Sequence, residues 1–134
     1  MFTFKKHFHM KDFLINKIEF TLFKIHIPDI GADPSGFGVW YEPGPGTQQK
    51  RFAVRIFTDD GAIGTYVPPR SRANVIMPAA IALAHFLIQK PALEREHHYQ
   101  TMRRATKHVG EAGIGALDIA LWDLGGKICG QPIP

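Results

Sequence analysis

From Lys17 to Ile27 polar and apolar residues alternate, with Ile18, Phe20 and Leu22 on one side and Lys17, Glu19 and Thr21 on the other. That period of two is the mark of a half-buried strand. The phase then slips by one residue, so that Phe23, Ile25 and Ile27 are apolar while Lys24 and His26 are polar, and this predicts a bulge near Leu22 and Phe23. Arg51 to Thr58 predict a second strand, Asp59-Asp60-Gly61 a tight turn, and Ala62 to Val67 a third strand. Pro68 and Pro69 end it, because neither can donate to a sheet ladder. Between the first two strands, Pro28 to Thr47 is broken repeatedly by glycine and proline and predicts a long loop, in which only Phe37, Val39, Trp40 and Tyr41 look able to pack.

From residue 74 the period becomes helical. Ile76, Ala79, Ala80, Leu83, Leu87 and Ile88 recur along one side of residues 74–89, with Pro78 in the first turn or kinking it. Pro91 suits the first position of a second helix reaching about Thr106, with Glu94 in the first turn where the helix dipole favours an acid. After Gly110 and Gly113 a third helix carries Ile114, Leu117, Leu121, Leu124 and Ile128 on one stripe and Asp123 and Lys127 as an i, i+4 pair, until Gly130 and Pro132 stop it. The sum is an α+β fold, a three-stranded antiparallel meander followed by three helices that cover one face of the sheet. Strand positions on both faces are apolar, which calls for a neighbour on the uncovered side.

Composition narrows this picture. A chain of 134 residues with 45% hydrophobic and 21% charged residues fits one folded domain. The net charge of +4 suggests a polyanionic partner until its distribution is read: residues 1–17 hold four lysines against Asp12, leaving twelve basic and eleven acidic residues elsewhere. Residues 1–16 are therefore expected to be a poorly ordered, solvated tail on a domain spanning 17–134, with no nucleic-acid partner. Cys129 stands alone, no secretory signal is visible, and no apolar run approaches the roughly 18 to 20 residues a bilayer requires, so a cytoplasmic setting without a membrane span is expected.

Several constellations carry less than they suggest. Glu94-x-x-His97 has a metal-site spacing but lacks further ligands, and an exposed helix face explains it. His7 and His9 sit in the tail, Cys129 is expected to be a small buried residue, and GPGPGTQ lacks the lysine of a phosphate loop. Asp118 beside the apolar stripe needs a partner, for which Arg103 or Arg104 of the preceding helix is expected.

The order strand, loop, hairpin with TDDGAIGTYV, helices, and then GIGALDIALWDLGGKICGQPIP resembles the N-terminal capping domain of the mandelate racemase/muconate lactonizing enzymes of the enolase superfamily. Leu-Trp-Asp-Leu, Gly-Lys and Gly-x-Pro in that order are the specific part, and the likeness spans about Lys17 to Pro134. The resemblance implies a Mg²⁺-dependent parent enzyme, an acid-sugar dehydratase or mandelate-racemase-like isomerase, in which a Lys or His base removes a proton beside a carboxylate and Mg²⁺ stabilises the ene-diolate, the pattern the enolase superfamily is known for. It implies that metal ligands and bases come from a barrel domain beyond Pro134. No catalytic or metal residue is accordingly carried over, this segment alone is expected to be inactive and to hold no cofactor, and the parent is expected to be a homo-oligomer acting on a carboxylate substrate.

The same resemblance implies that residues 28–41 and 66–72 close over the barrel mouth and tune which acid is accepted. Ile30, Phe37, Trp40, Tyr41, Tyr66 and Arg70 are the substrate-capping candidates, Arg70 because a guanidinium grips a carboxylate through two hydrogen bonds. The competing expectation is a free-standing α+β module that binds or dimerises through its apolar surface.

Overall fold

The computed structural model describes residues 12–29, 46–69, 73–108 and 110–133. Strands β1 (Ile15–Ile27), β2 (Thr47–Thr58) and β3 (Ile63–Tyr66) form an antiparallel sheet in the order β1-β2-β3, followed by helices α1 (Ala73–Ala84), α2 (Arg95–Ala105) and α3 (Ile114–Cys129). The α+β meander expected from the pattern is the architecture found.

Alternation decides which strand residues face the helices. Ile18 pairs with Ile56 and Phe20 with Val54, Tyr66 pairs with Val54 and Gly64 with Ile56, so these side chains share one face. On it Phe52, Val54 and Ile56 are buried and pack with Leu83, Leu117, Leu121 and Leu124 in one core. Gly64 lets α3 approach: a Cβ there would stand 2.5 Å from the Leu124 Cβ and would also strike the Ala120 carbonyl oxygen. Gly61, at φ +91°, supplies the left-handed step of the β2–β3 turn.

The predicted bulge is misplaced. Pairing runs without interruption from Lys17↔Phe57 to Ile27↔Thr47, and the irregularity lies between Ile15 and Lys17. That bulge turns Ile15 onto the helix face, where it is fully buried. The phase slip at Leu22 and Phe23 has another cause. Leu22, although on the helix face, is 51% exposed, and beyond it Lys24 and His26 are exposed on that same face while Phe23, Ile25 and Ile27 are half-buried on the opposite one. The helix layer ends there and the strands continue as a two-stranded ribbon whose apolar side is reversed.

Two helix boundaries also move. α1 stops at Ala84 and α2 starts only at Arg95, because the residues between them serve the sheet: Ile15 donates to the Lys90 carbonyl at 2.9 Å, Gln89 to that of Ile15 at 2.7 Å, and Ala92 to that of Phe13 at 3.0 Å. Pro91 therefore bridges to Leu14 instead of opening α2, and Glu94, expected in the first turn, stands at the N-cap position without a side-chain capping hydrogen bond, while Glu96 is the acid of the first turn. Pro78 sits inside α1, beyond the first turn, where its missing N–H leaves the Asn74 carbonyl without a helical donor. Gly130, at φ 63°, ends α3 in the left-handed cap its position predicts.

Candidate functional site

β1 and β3 each run antiparallel to β2 and hence parallel to one another. The segment after β1 and the segment after β3, which carry the capping candidates, thus leave the sheet toward the same end. They do not leave at the same height. Tyr66 lies level with Val54 and Phe20, and β1 continues through Ile27, roughly 23 Å further at about 3.3 Å per residue. One end of the molecule therefore presents a tall ribbon beside a low, proline-ended strand.

Of the sequence-derived candidates, Ile30, Phe37, Trp40, Tyr41 and Arg70 lie outside the described residues. Tyr66 is described, and its half-buried ring packs against the core from the last position of β3. A residue missed by sequence reasoning binds the segment just after β3. Arg51, in β2, donates from Nη1 to the carbonyl of Pro68 at 3.1 Å and to that of Pro69, and from Nη2 to Gln49 Oε1 at 3.2 Å. Its Nε is buried and has no hydrogen-bond partner among the described residues. In the sequence Arg51 is one polar position of a strand. The available signal was the Pro68-Pro69 pair, which removes two backbone donors where β3 would otherwise continue.

The opposite end of the sheet's uncovered face is polar. Lys17 Nζ lies 2.8 Å from Glu19 and 4.2 Å above the Phe57 ring, and Arg55 is 3.2 Å from the same carboxylate. The hydrogen bond from Lys17, helped by its charge and that of Arg55, holds Glu19 below its ordinary value of 4.5. These side chains are solvated, each at least a third exposed.

A further surface lies on the outer side of α3. Asp118 is bound not by Arg103 or Arg104 but by Arg95, whose Nη1 is 2.9 Å from Oδ1 and whose guanidinium stacks 4.1 Å over Trp122. The start of α2, not its end, crosses Asp118, so the residues expected to pair with it are a helix length away. Trp122, Leu93 and Ile133 are each more than 40% exposed and, with Pro132 and Cys129, line an open groove of about 300 Å³. Cys129, expected inside, is exposed because it is the last residue of α3 and turns toward that groove.

His97, Glu94 and Glu96 are exposed, whereas His98 is buried with its Nε2 2.7 Å from the Pro91 carbonyl, a bond that accounts for it structurally. Among the described residues no three His, Cys, Asp or Glu side chains come together as a site built wholly from protein ligands would need. Nor is any of the described helices long and apolar enough to cross a membrane.

Comparison with known proteins agrees with the fold. The profile for the mandelate racemase/muconate lactonizing enzyme N-terminal domain matches residues 44–134. The D-galactonate dehydratase of Ralstonia pickettii (strain 12J) is 32% identical over 85 residues, which are 60% of this chain and 22% of that protein. Its counterpart from Xanthomonas campestris pv. campestris (strain B100) is 33% identical over 85 residues with the same coverage, so the chain spans about a fifth of the length of the curated relatives it matches. Among solved structures, the 3,6-anhydro-D-galactonate cycloisomerase from Zobellia galactanivorans gives a TM-score of 0.67 at 27% identity, covering 87% of this chain and 29% of that one. A racemase from Streptomyces coelicolor A3(2) with bound magnesium gives 0.67 at 25% identity, covering 87% and 33%. On these grounds, and on its sheet, helices and C-terminal motif, the chain belongs to the mandelate racemase/muconate lactonizing enzyme family, as its N-terminal domain.

Proposed function

We propose that this chain is the capping and specificity domain of an acid-sugar dehydratase, and that the proton removed from beside the substrate carboxylate is taken by a barrel domain that these residues cover. The observation that carries the proposal is the parallel course of β1 and β3, so that both strands end toward the same edge of the sheet, each followed in sequence by one of the two capping segments, 28–41 and 66–72. Closure by such segments excludes water from a site where charge develops, and excluded water strengthens every electrostatic contact within it. In this reading Tyr66, Ile30, Phe37, Trp40, Tyr41 and Arg70 are the side chains that meet the acid, and Mg²⁺ belongs to the barrel.

A dehydratase is favoured over a racemase because two D-galactonate dehydratases share 32% and 33% identity with the chain. A covering role also explains the apolar surface. Leu93, Ile119, Trp122 and Ile133 are all exposed, and a domain that packs against a second one needs such a surface. Light scattering after size exclusion is the test. The chain by itself is expected to bind a hydrophobic dye and to self-associate without a fixed stoichiometry, whereas a monodisperse dimer that binds no dye would support the free-standing module instead.

A further inference from the structure

β3 pairs with β2 as far as Tyr66↔Val54, and the same register carried onward sets Pro68 opposite Phe52 and Pro69 opposite Arg51. Neither proline has an N–H, so β3 cannot continue the ladder by backbone donation. Pro68 is buried all the same. What reaches it is the Arg51 side chain, whose Nη1 donates to the carbonyls of both prolines while Nη2 is steadied by the buried Gln49. A guanidinium suits this task because its donors form a rigid planar fork, and a lysine ammonium at the end of a flexible stem does not reproduce it.

We propose that Arg51 is a positioning residue: its guanidinium donates to the carbonyls of Pro68 and Pro69, tying to β2 a segment that has no N–H to donate to the ladder, and so fixes the course on which the chain leaves β3. The functional meaning rests on the capping role proposed above, since that course leads into the second capping segment; the contact itself does not. The buried, unpartnered Nε fits this assignment. A side chain placed only for its charge or its fit in the strand would gain from losing that orphan donor, so Arg51→Lys would be neutral or stabilising.

Hydrogen–deuterium exchange on the 134-residue chain separates the two roles, with Arg51→Lys and Arg51→Met read against the unaltered protein. Exchange at the amides of Tyr66 and Val67 is expected to quicken by roughly fivefold to thirtyfold in both variants, as loss of one or two local hydrogen bonds would give, while Val54 to Thr58 in β2 keep their protection. Exchange in Arg51→Lys equal to that of the unaltered protein would overturn the proposal, and so would a rise spread evenly over the whole sheet. Neither readout involves turnover or a barrel, so failure here leaves the capping role standing, and failure of the capping role leaves the clamp.

Discussion

The two halves of the β1–β2 pair obey different rules. In the half under the helices, Ile18, Phe20, Val54 and Ile56 point into a core closed by α1 and α3, and the far face carries the solvated Lys17, Glu19 and Arg55. In the ribbon half the polarity is turned over: Lys24 stands directly opposite Lys50 on the helix side, while Phe23 and Ile25 share the other side with Arg51 and Gln49. Like charges directly opposite one another weaken a strand pair, so the ribbon is not arranged for stability. The first half holds the domain together, and the second contributes no side chain to its core.

The largest effect should separate the halves most clearly. Ile56→Ala removes a fully buried side chain and is expected to cost about 2–5 kcal/mol in urea unfolding, against less than about 1 kcal/mol for Ile25→Ala in the ribbon. Equal losses would mean that the ribbon belongs to the same core. Gly64→Ala should follow at about 1–3 kcal/mol, because the obstacles to its Cβ include the backbone of α3, which can yield only by shifting the helix; a neutral result would show that α3 is not seated on β3 as described.

Asp118→Asn tests the junction of α2 and α3 and is expected to cost about 1 kcal/mol, with most of that loss absent in an Arg95→Met background. The smallest effect concerns the polar far face. Because Glu19 is held below 4.5, chiefly by its hydrogen bond from Lys17, its contribution is present above that value and is lost as pH falls below it through the lowered folded-state value. In an NMR titration Lys17→Met should move the Glu19 midpoint upward, and an unmoved midpoint would remove the pair from the account.

Much of this was legible because burial and period agree. The three strands, the turn at Asp59-Asp60-Gly61, the α3 stripe and its Gly130 stop all follow from alternation, helical spacing and turn chemistry. The phase slip at Leu22 and Phe23 misled because a bulge and an exchange of covered faces both shift an alternating pattern by one residue, and only the third dimension tells them apart. Residues 85–92 misled for a related reason: apolar spacing continued the helix, while long-range bonds to Phe13 and Ile15 drew the backbone out of it. The candidate site was legible as two segments rather than as contacts. The Arg51 clamp depends on a register between strands, and the Arg95–Asp118 pair on how two helices cross.

The central claim is that the proton-removing groups are not in these residues. Purified free of contaminating enzyme and supplied with Mg²⁺ and D-galactonate, the 134-residue chain should dehydrate the acid no faster than buffer alone. Turnover that copurifies with the chain and scales with its concentration would contradict it.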